Sequence, residues 1–138
     1  MNLSTAALTD SRGAHPTGAA LILVRLEALA VLVAAVVAYA HLHFSWLLFA
    51  VLLLAPDLAM LGYLAGPRVG AICYNMVHTY IGPLVLLALS TLHPALQPFA
   101  LIWATHIALD RALGYGLKYA TGFNDTHLGR TGRVSPRG

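Results

Sequence analysis

The sequence predicts an all-α, polytopic membrane protein that folds as a four-transmembrane-helix bundle. Of its 138 residues, 59% are hydrophobic and only 9% are charged, and the apolar residues come in long blocks. A mean hydropathy of +0.74 is too apolar for an ordinary soluble domain. A helix needs about 20 apolar residues to cross a hydrocarbon core about 30 Å thick. Four blocks approach that length: 20–40, 46–64, 70–92 and 96–117.

The segments that connect these blocks are short and carry the residues of turns. The first connection is "HLHFS" (41–45), the second is "LAGPRVG" (64–70) with its Gly-Pro pair, and the third is "TLHPALQP" (91–98) with two prolines. An even number of crossings places both ends of the domain on the same side of the membrane.

One membrane domain is predicted, with a polar segment at each end. The leader, 1–19, has no small-residue cleavage site followed by a soluble domain, so we do not interpret it as a removable signal peptide. The membrane domain covers 20–120, and a polar, Gly-rich cytoplasmic tail covers 121–138, with its last third expected to be disordered. The single cysteine, Cys73, excludes an internal disulfide and a multi-cysteine metal site.

The basic residues predict the orientation of the domain. All 8 Lys and Arg lie in or beside the leader, in the 64–70 connection, or from the end of the fourth block onward. The connections 41–45 and 91–98 contain none. The positive-inside rule therefore predicts that both termini are cytoplasmic. The same rule explains the net charge of +3 without nucleic acid as a partner; the expected partner is the lipid bilayer.

Ionisable side chains within the blocks are the strongest functional signal. Each costs about 2.5–3.5 kcal/mol in the hydrocarbon region on insertion scales, so such groups usually face the interior of a bundle. At a rise of ~1.5 Å per residue, five of them fall roughly 10–17 Å from the cytoplasmic surface. They are Glu27, Asp57, His78, His106 and Asp110. Their common depth predicts a polar pocket that opens towards the cytoplasm.

Helical spacing assigns some of these groups to common faces. His106 and Asp110 are an i,i+4 pair, and so are Tyr74 and His78, while Asn75 and His78 are an i,i+3 pair. Helical bundles build metal sites from side chains on facing helices. A single buried His or Asp can instead make only an interhelical hydrogen bond, and several groups at one depth weaken that interpretation. Tyr74 and Asn75 therefore join the candidate catalytic residues.

Four stretches resemble a bacterial family of small membrane proteins called domain of unknown function 4260. They are "LLLAPDLAMLGYLAG" (52–66), "YNMVHTY" (74–80), "THIALDRALGYGLKY" (105–119) and "TGFNDTHLGR" (121–130). The resemblance covers about residues 20–130. It implies a multi-pass protein of the bacterial inner membrane, and the family name supplies no activity.

A more distant likeness is to predicted membrane-bound metal-dependent hydrolases. The elements of that likeness stand here as Pro56-Asp57, Val77-His78-Thr79 and His106-x-x-x-Asp110. Ala59 and Cys73 occupy the places where that family has a second Asp and a further His. Because two expected ligands are missing, the likeness implies at most one metal ion.

The polar set suits a single divalent ion, with zinc as the first choice. A catalytic zinc takes about three protein ligands and keeps a position open for water. The candidate ligands are His78, His106 and Asp110, with Asp57 as a fourth ligand or beside the ion. Asp57 or Glu27 would take a proton from the attacking water, because burial raises the pKa of a carboxyl group.

Further charged residues are expected around the mouth of the pocket. Arg68, Arg111 and Lys118 are candidates for holding a phosphate or other anionic headgroup. Asp125 and His127 are candidates for a pocket lid, although a turn at Asp125 is the simpler interpretation.

These features predict a membrane enzyme, most simply a metal-dependent hydrolase that acts on a lipid-like or amphiphilic small molecule. One alternative is a metal-free acid/base isomerase or hydratase with an apolar substrate. Another is a non-enzymatic transport subunit or a haem-binding protein, since two facing histidines can ligate haem. Haem is not favoured, because it leaves the position of Asp110 unexplained. Four helices also make a bundle small enough to form a homo-oligomer.

Overall fold

The computed structural model describes residues 18–131, and its elements are almost entirely helical. Most of the predicted leader (1–17) and the end of the predicted tail (132–138) lie outside the described residues. In chain order the elements are α1 (Ala19–His41), α2 (Trp46–Leu52), a long 3₁₀ helix (Ala55–Ala65), α3 (Pro67–Val77), α4 (Ile81–Leu89), a short 3₁₀ helix (Pro94–Leu96), α5 (Gln97–Leu113), β1 (Asp125–Thr126) and β2 (Gly129–Arg130).

The predicted all-α, membrane-type fold is confirmed. Three helical stretches of the described chain are long and apolar enough to cross a bilayer: Ala19–His41, Trp46–Ala65 and Pro67–Leu89. The second stretch consists of α2 and the long 3₁₀ helix, and the third consists of α3 and α4. The break between α2 and the 3₁₀ helix precedes Pro56, which has no N–H to continue the α-helical hydrogen bonds.

The fourth block forms a shorter helix than the sequence predicts. We expected the apolar block to run to residue 117, but α5 ends at Leu113 after 17 residues. Gly114 adopts a left-handed conformation (φ 95°), and the Tyr115 N–H donates to the Asp110 carbonyl at 2.8 Å. A glycine in this conformation closes a helix in a way that residues with a Cβ atom rarely can.

Helix α5 is the centre of the fold. Thr105, His106, Ile107 and Ala108 are all buried, and α5 packs mainly against α1 and α4. In contrast, α1 buries only Ala28, Ala35 and Tyr39, and most of its other apolar side chains are exposed. Exposed apolar surface of this extent is what a bilayer covers in a membrane protein. The outer helices therefore contact lipid, and the polar side chains of α5 are shielded from it.

The chain after α5 folds back onto the end of α3. The side chain of Asn75 donates to the Lys118 carbonyl at 2.8 Å and accepts from the Lys118 N–H at 2.7 Å. Beyond this clamp, β1 and β2 pair as a small antiparallel hairpin. The described part of the predicted tail is thus ordered against the membrane domain.

Candidate metal centre

Four of the predicted site residues come together at one point. One ligand atom from each of Asp57, His78, His106 and Asp110 lies within 4.8 Å of the others. Asp57 comes from the long 3₁₀ helix, His78 follows the last residue of α3, and the other two occupy adjacent turns of α5. Three separate segments therefore contribute to one polar cluster in an apolar fold.

The spacing of these donors suits one small ion. The Nε2 atoms of His78 and His106 are 3.1 Å apart, and each is 3.4 Å from Asp57 Oδ1. The same two nitrogens lie 3.6 and 3.8 Å from Asp110 Oδ2. Ligands at about 2.0–2.2 Å from a tetrahedral zinc ion lie about 3.3–3.6 Å from one another. The distances in the cluster, 3.1–3.8 Å, lie close to this range, so the donors can surround one small ion.

Hydrogen bonding orients His78 with a free lone pair towards the cluster. Its Nδ1 lies 2.8 Å from the backbone carbonyl of Tyr74, and a carbonyl only accepts, so Nδ1 carries the hydrogen. In the neutral ring, Nε2 is then unprotonated and available as a ligand. A metal-binding histidine almost always donates its other N–H to such a partner. The Tyr74 ring also stacks on the imidazole at 3.6 Å, which fixes the plane of the ring.

Tyr74 orients the acidic side of the cluster as well. Its hydroxyl group donates to Asp110 Oδ2 at 3.0 Å, and this is the oxygen that faces the two imidazoles. Tyr74 is only 3% exposed, so the hydrogen bond is shielded from water. Tyr74 therefore positions one histidine and one carboxylate at once. The sequence placed Tyr74 on the His78 face but did not indicate this bond.

Asp57 and His106 differ in their access to solvent. The Asp57 side chain is 30% exposed, whereas His106 is 1% exposed. No hydrogen-bond partner is found for His106 Nδ1 within residues 18–131. An N–H group buried without a partner costs about 1–3 kcal/mol, so in the free protein the hydrogen of His106 is better placed on Nε2, directed at His78. Asp57 therefore lies on the side of the cluster that solvent can reach.

An apolar cavity of about 380 Å³ is lined by chain neighbours of two donors. Its lining includes Pro56 and Val77, which directly precede Asp57 and His78 in the chain, and none of the four donors lines it. Trp103 also lines it and donates from its indole N–H to the Val77 carbonyl at 2.6 Å. This cavity suits a hydrocarbon group, and two of its lining residues are bonded to donors in the chain.

Two other candidate catalytic residues lie apart from the donors. The side-chain amide of Asn75 is engaged by the backbone of Lys118, as described above. Glu27 is exposed on α1 and lines a different cavity, together with Arg111 and His127. Depth along a helix did not distinguish Glu27 from the others, because depth says nothing about the direction in which a side chain points.

The three candidate anion-binding residues have different environments. Arg111 donates to the carbonyl of His78 at 3.0 Å, so it ties α5 to the end of α3. Lys118 is 5% exposed, donates to the Phe123 carbonyl at 3.0 Å and lies over the Phe123 ring. Arg68 is exposed near the start of α3. Arg111 also lines a cavity of about 310 Å³, together with Glu27 and His127.

The two candidate lid residues also separate. Asp125 accepts from the Arg130 Nε–H at 2.9 Å within the hairpin. His127 accepts the Leu117 N–H at its Nδ1 atom at 2.7 Å, and its Nε2 atom lies 3.5 Å from Arg111 Nη1. Burial, and then the nearby Arg111 guanidinium, lower the pKa of His127, so the neutral ring is favoured at pH 7.

Comparison with protein families matches residues 21–131 to the domain of unknown function DUF4260. The chain belongs to this family. The match includes all four donors of the cluster and the hairpin that follows α5. Neither the curated proteins nor the solved structures contain a match to the chain. The family therefore supports the resemblance seen in the sequence, and the chemistry has to be argued from the site.

Cys73 bears on the more distant likeness to metal-dependent hydrolases. It stands where that family has a histidine, but it packs against Gly62 of the long 3₁₀ helix, where an added Cβ atom would lie 3.0 Å from the cysteine Sγ. Two-metal sites place their ions about 3.5–4 Å apart and need more ligands than the four found here. The cluster thus suits one ion.

Proposed function

We propose that this protein is a small membrane-embedded hydrolase that uses one divalent metal ion, zinc being the first choice. The observation that carries the proposal is the convergence of two imidazoles and two carboxylates at the spacing of a single coordination sphere. The hydrogen bonds of Tyr74 support it, because they fix His78 and Asp110 in the orientation of ligands.

The four residues divide between two roles in this proposal. His78, His106 and Asp110 hold the ion, which when bound lowers the pKa of water to about 7 and polarises a carbonyl or phosphoryl oxygen. Asp57, the most exposed of the four, orients the attacking water and accepts its proton. A proton acceptor in this place must reach the solvent side of the cluster, and Asp57 does.

The substrate class follows from the surroundings of the cluster. We propose a lipid-like or amphiphilic molecule whose hydrocarbon part enters the apolar cavity beside Pro56, Val77 and Trp103. We further propose that the protein lies in the bacterial inner membrane, that both termini are cytoplasmic and that the site faces the cytoplasm. The distribution of Lys and Arg supports this orientation. Homo-oligomerisation stays a prediction.

Metal content is the first experiment. The protein is purified in detergent after expression with added zinc, and the bound metal is measured by elemental analysis. We expect about one ion per chain, and His78→Ala and His106→Ala are expected to lose it while still inserting into the membrane. His93→Ala, an exposed histidine outside the cluster, is the matched control. Retention of the ion by both variants would refute the ligand assignment.

Activity is tested next on long-chain carboxylic and phosphoric esters, with and without a chelator. Asp57→Asn is expected to keep the metal but to lower kcat by at least about 100-fold, since general base catalysis contributes about 10²–10⁴-fold. Turnover that survives both chelation and Asp57→Asn would contradict a metal-dependent hydrolase.

A metal-free acid/base enzyme is the second candidate function, and one contact favours it. The Nε2 atoms of His78 and His106, 3.1 Å apart, can share a proton directly. Catalysis of proton exchange in a substrate by metal-depleted protein would support this function over hydrolysis.

The contact between His78 Nε2 and His106 Nε2 argues against haem, because a porphyrin plane would have to pass between two nitrogens only 3.1 Å apart.

A further inference from the structure

A second polar cavity, which none of the four donors lines, lies between α1 and the chain that follows α5. It has a volume of about 310 Å³. Its polar lining comes from Glu27, Tyr80, Arg111 and His127, and the rest of the lining is apolar and comes from α1. None of these polar residues belongs to the donor cluster.

Three hydrogen-bond donors border this cavity. Because His127 Nδ1 accepts the Leu117 N–H, the neutral ring carries its hydrogen on Nε2. Arg111 Nη1 lies 3.5 Å from that Nε2 atom, and two donors cannot satisfy each other. The hydroxyl of Tyr80 is buried and has no hydrogen-bond partner within residues 18–131. An oxyanion is the ligand that would accept from all three.

An acid shares the cavity with these donors. Glu27 lines the cavity from α1, and it forms no ion pair within the described part of the chain. With His127 neutral, the lining carries one positive and one negative charge. A complementary ligand therefore has no net charge and keeps its own negative and positive groups apart.

An apolar groove continues from the polar cavity. The groove has a volume of about 480 Å³ and shares Val31 and Tyr80 with the cavity. It runs between α1, α4 and α5 and is lined by aliphatic side chains such as Leu84 and Leu87. Its polar lining is almost nil, so a hydrocarbon chain is the occupant that suits it.

We propose that this cavity and groove bind a phospholipid with a zwitterionic headgroup. The phosphate accepts hydrogen bonds from Arg111, His127 and Tyr80, the ammonium group pairs with Glu27, and one acyl chain lies in the groove. Arg111 suits the phosphate because its charged guanidinium group has Nη1 beside His127 while Nη2 donates to the His78 carbonyl. This site shares no lining residue with the four donors and does not depend on the proposed hydrolysis.

The test uses the full chain, delipidated in detergent, and native mass spectrometry to measure bound lipid. The probes are short-chain phosphatidylethanolamine, phosphatidylglycerol with the same chains, and free phosphoethanolamine without chains. We expect the phosphatidylethanolamine to bind more tightly than either of the others. Equal or tighter binding of phosphatidylglycerol would overturn the zwitterionic assignment, and equal binding of phosphoethanolamine would overturn the role of the groove.

Two variants test which residues bind the lipid. Both suit this test, because neither removes a hydrogen bond found within the described residues. Glu27→Gln is expected to weaken phosphatidylethanolamine binding about tenfold and to strengthen phosphatidylglycerol binding, because the remaining charge of the lining is then positive. Tyr80→Phe is expected to weaken the binding of both lipids. The matched controls are Asp125→Asn and Tyr115→Phe, which lie outside the cavity and the groove. Unchanged lipid selectivity in Glu27→Gln would overturn the proposal.

Metal content is measured on the same samples. We expect Glu27→Gln to keep its bound ion, since Glu27 is not part of the donor cluster. If the wild type binds no metal but shows the expected lipid selectivity, the proposed hydrolysis fails and the lipid site stands. If it binds metal but shows no lipid selectivity, the lipid site fails and the metal centre stands.

Discussion

Replacement of Tyr74 by Phe tests whether the cluster is organised to bind metal. The variant removes the hydroxyl that donates to Asp110 Oδ2 at 3.0 Å and keeps the ring that stacks on His78. A hydrogen bond to a charged group contributes about 1.5–3 kcal/mol. Because this bond also exists in the metal-free protein, only part of its energy affects binding. We expect about a tenfold loss of zinc affinity, or ~1.4 kcal/mol, at the lower end of the range for groups that orient a ligand.

The assay is a competition for zinc between the detergent-solubilised protein and a fluorescent chelator of known affinity. Tyr119→Phe is the control, because the Tyr119 side chain is exposed and makes no hydrogen bond to the four donors within the described residues. An affinity for Tyr74→Phe within about twofold of the wild type would refute the reasoning that the hydroxyl orients the ligand. A loss of all binding together with loss of the folded state would show that the bond is needed for folding.

Three other predictions concern the fold and its orientation. Asn75→Ala leaves two backbone groups without partners, so we expect about 1–3 kcal/mol of lost stability in the hairpin segment, seen as faster hydrogen exchange there while the metal is retained. Gly70→Ala would place a Cβ atom in a clash with the Tyr63 ring and is expected to lower the unfolding free energy by about 1–3 kcal/mol in denaturation experiments. Gly122→Ala meets only an ordinary contact and serves as its control, so equal effects of the two would contradict the packing. Tags at either terminus are expected to be protected from external protease in intact cells while a tag in the 91–98 connection is cut, and the reverse pattern would contradict the orientation.

Much of the site could be predicted from local spacing. The i,i+4 relation of His106 and Asp110 fixes them on one face of α5, and the two residues do contribute to one cluster. Tyr74 and His78 are likewise linked, by a backbone hydrogen bond and by ring stacking. These relations follow from the helical repeat, which is a local property of the chain.

Other features depend on contacts that are distant in sequence. Glu27 shares the predicted depth of the cluster but lines another cavity, because the rotation of α1 about its axis is set by packing against α5. Lys118 was expected at an open mouth, yet the clamp with Asn75 brings it into a buried position. Tyr80 carried no signal in the sequence, and its role in the proposed lipid site emerges only from the cavity that it shares with Arg111.

The sequence by itself determined the membrane-type helical fold and the residue types that can meet at one depth. Long apolar segments must form helices in a bilayer, since backbone polar groups have no other partners there. The tertiary structure alone decided which of those side chains meet. The placement of the long 3₁₀ helix, the end of α3 and α5 brings Asp57, His78, His106 and Asp110 together, and the orientation of α1 directs Glu27 to another cavity. Packing between helices fixes the directions in which these side chains point, and local sequence patterns do not predict those directions.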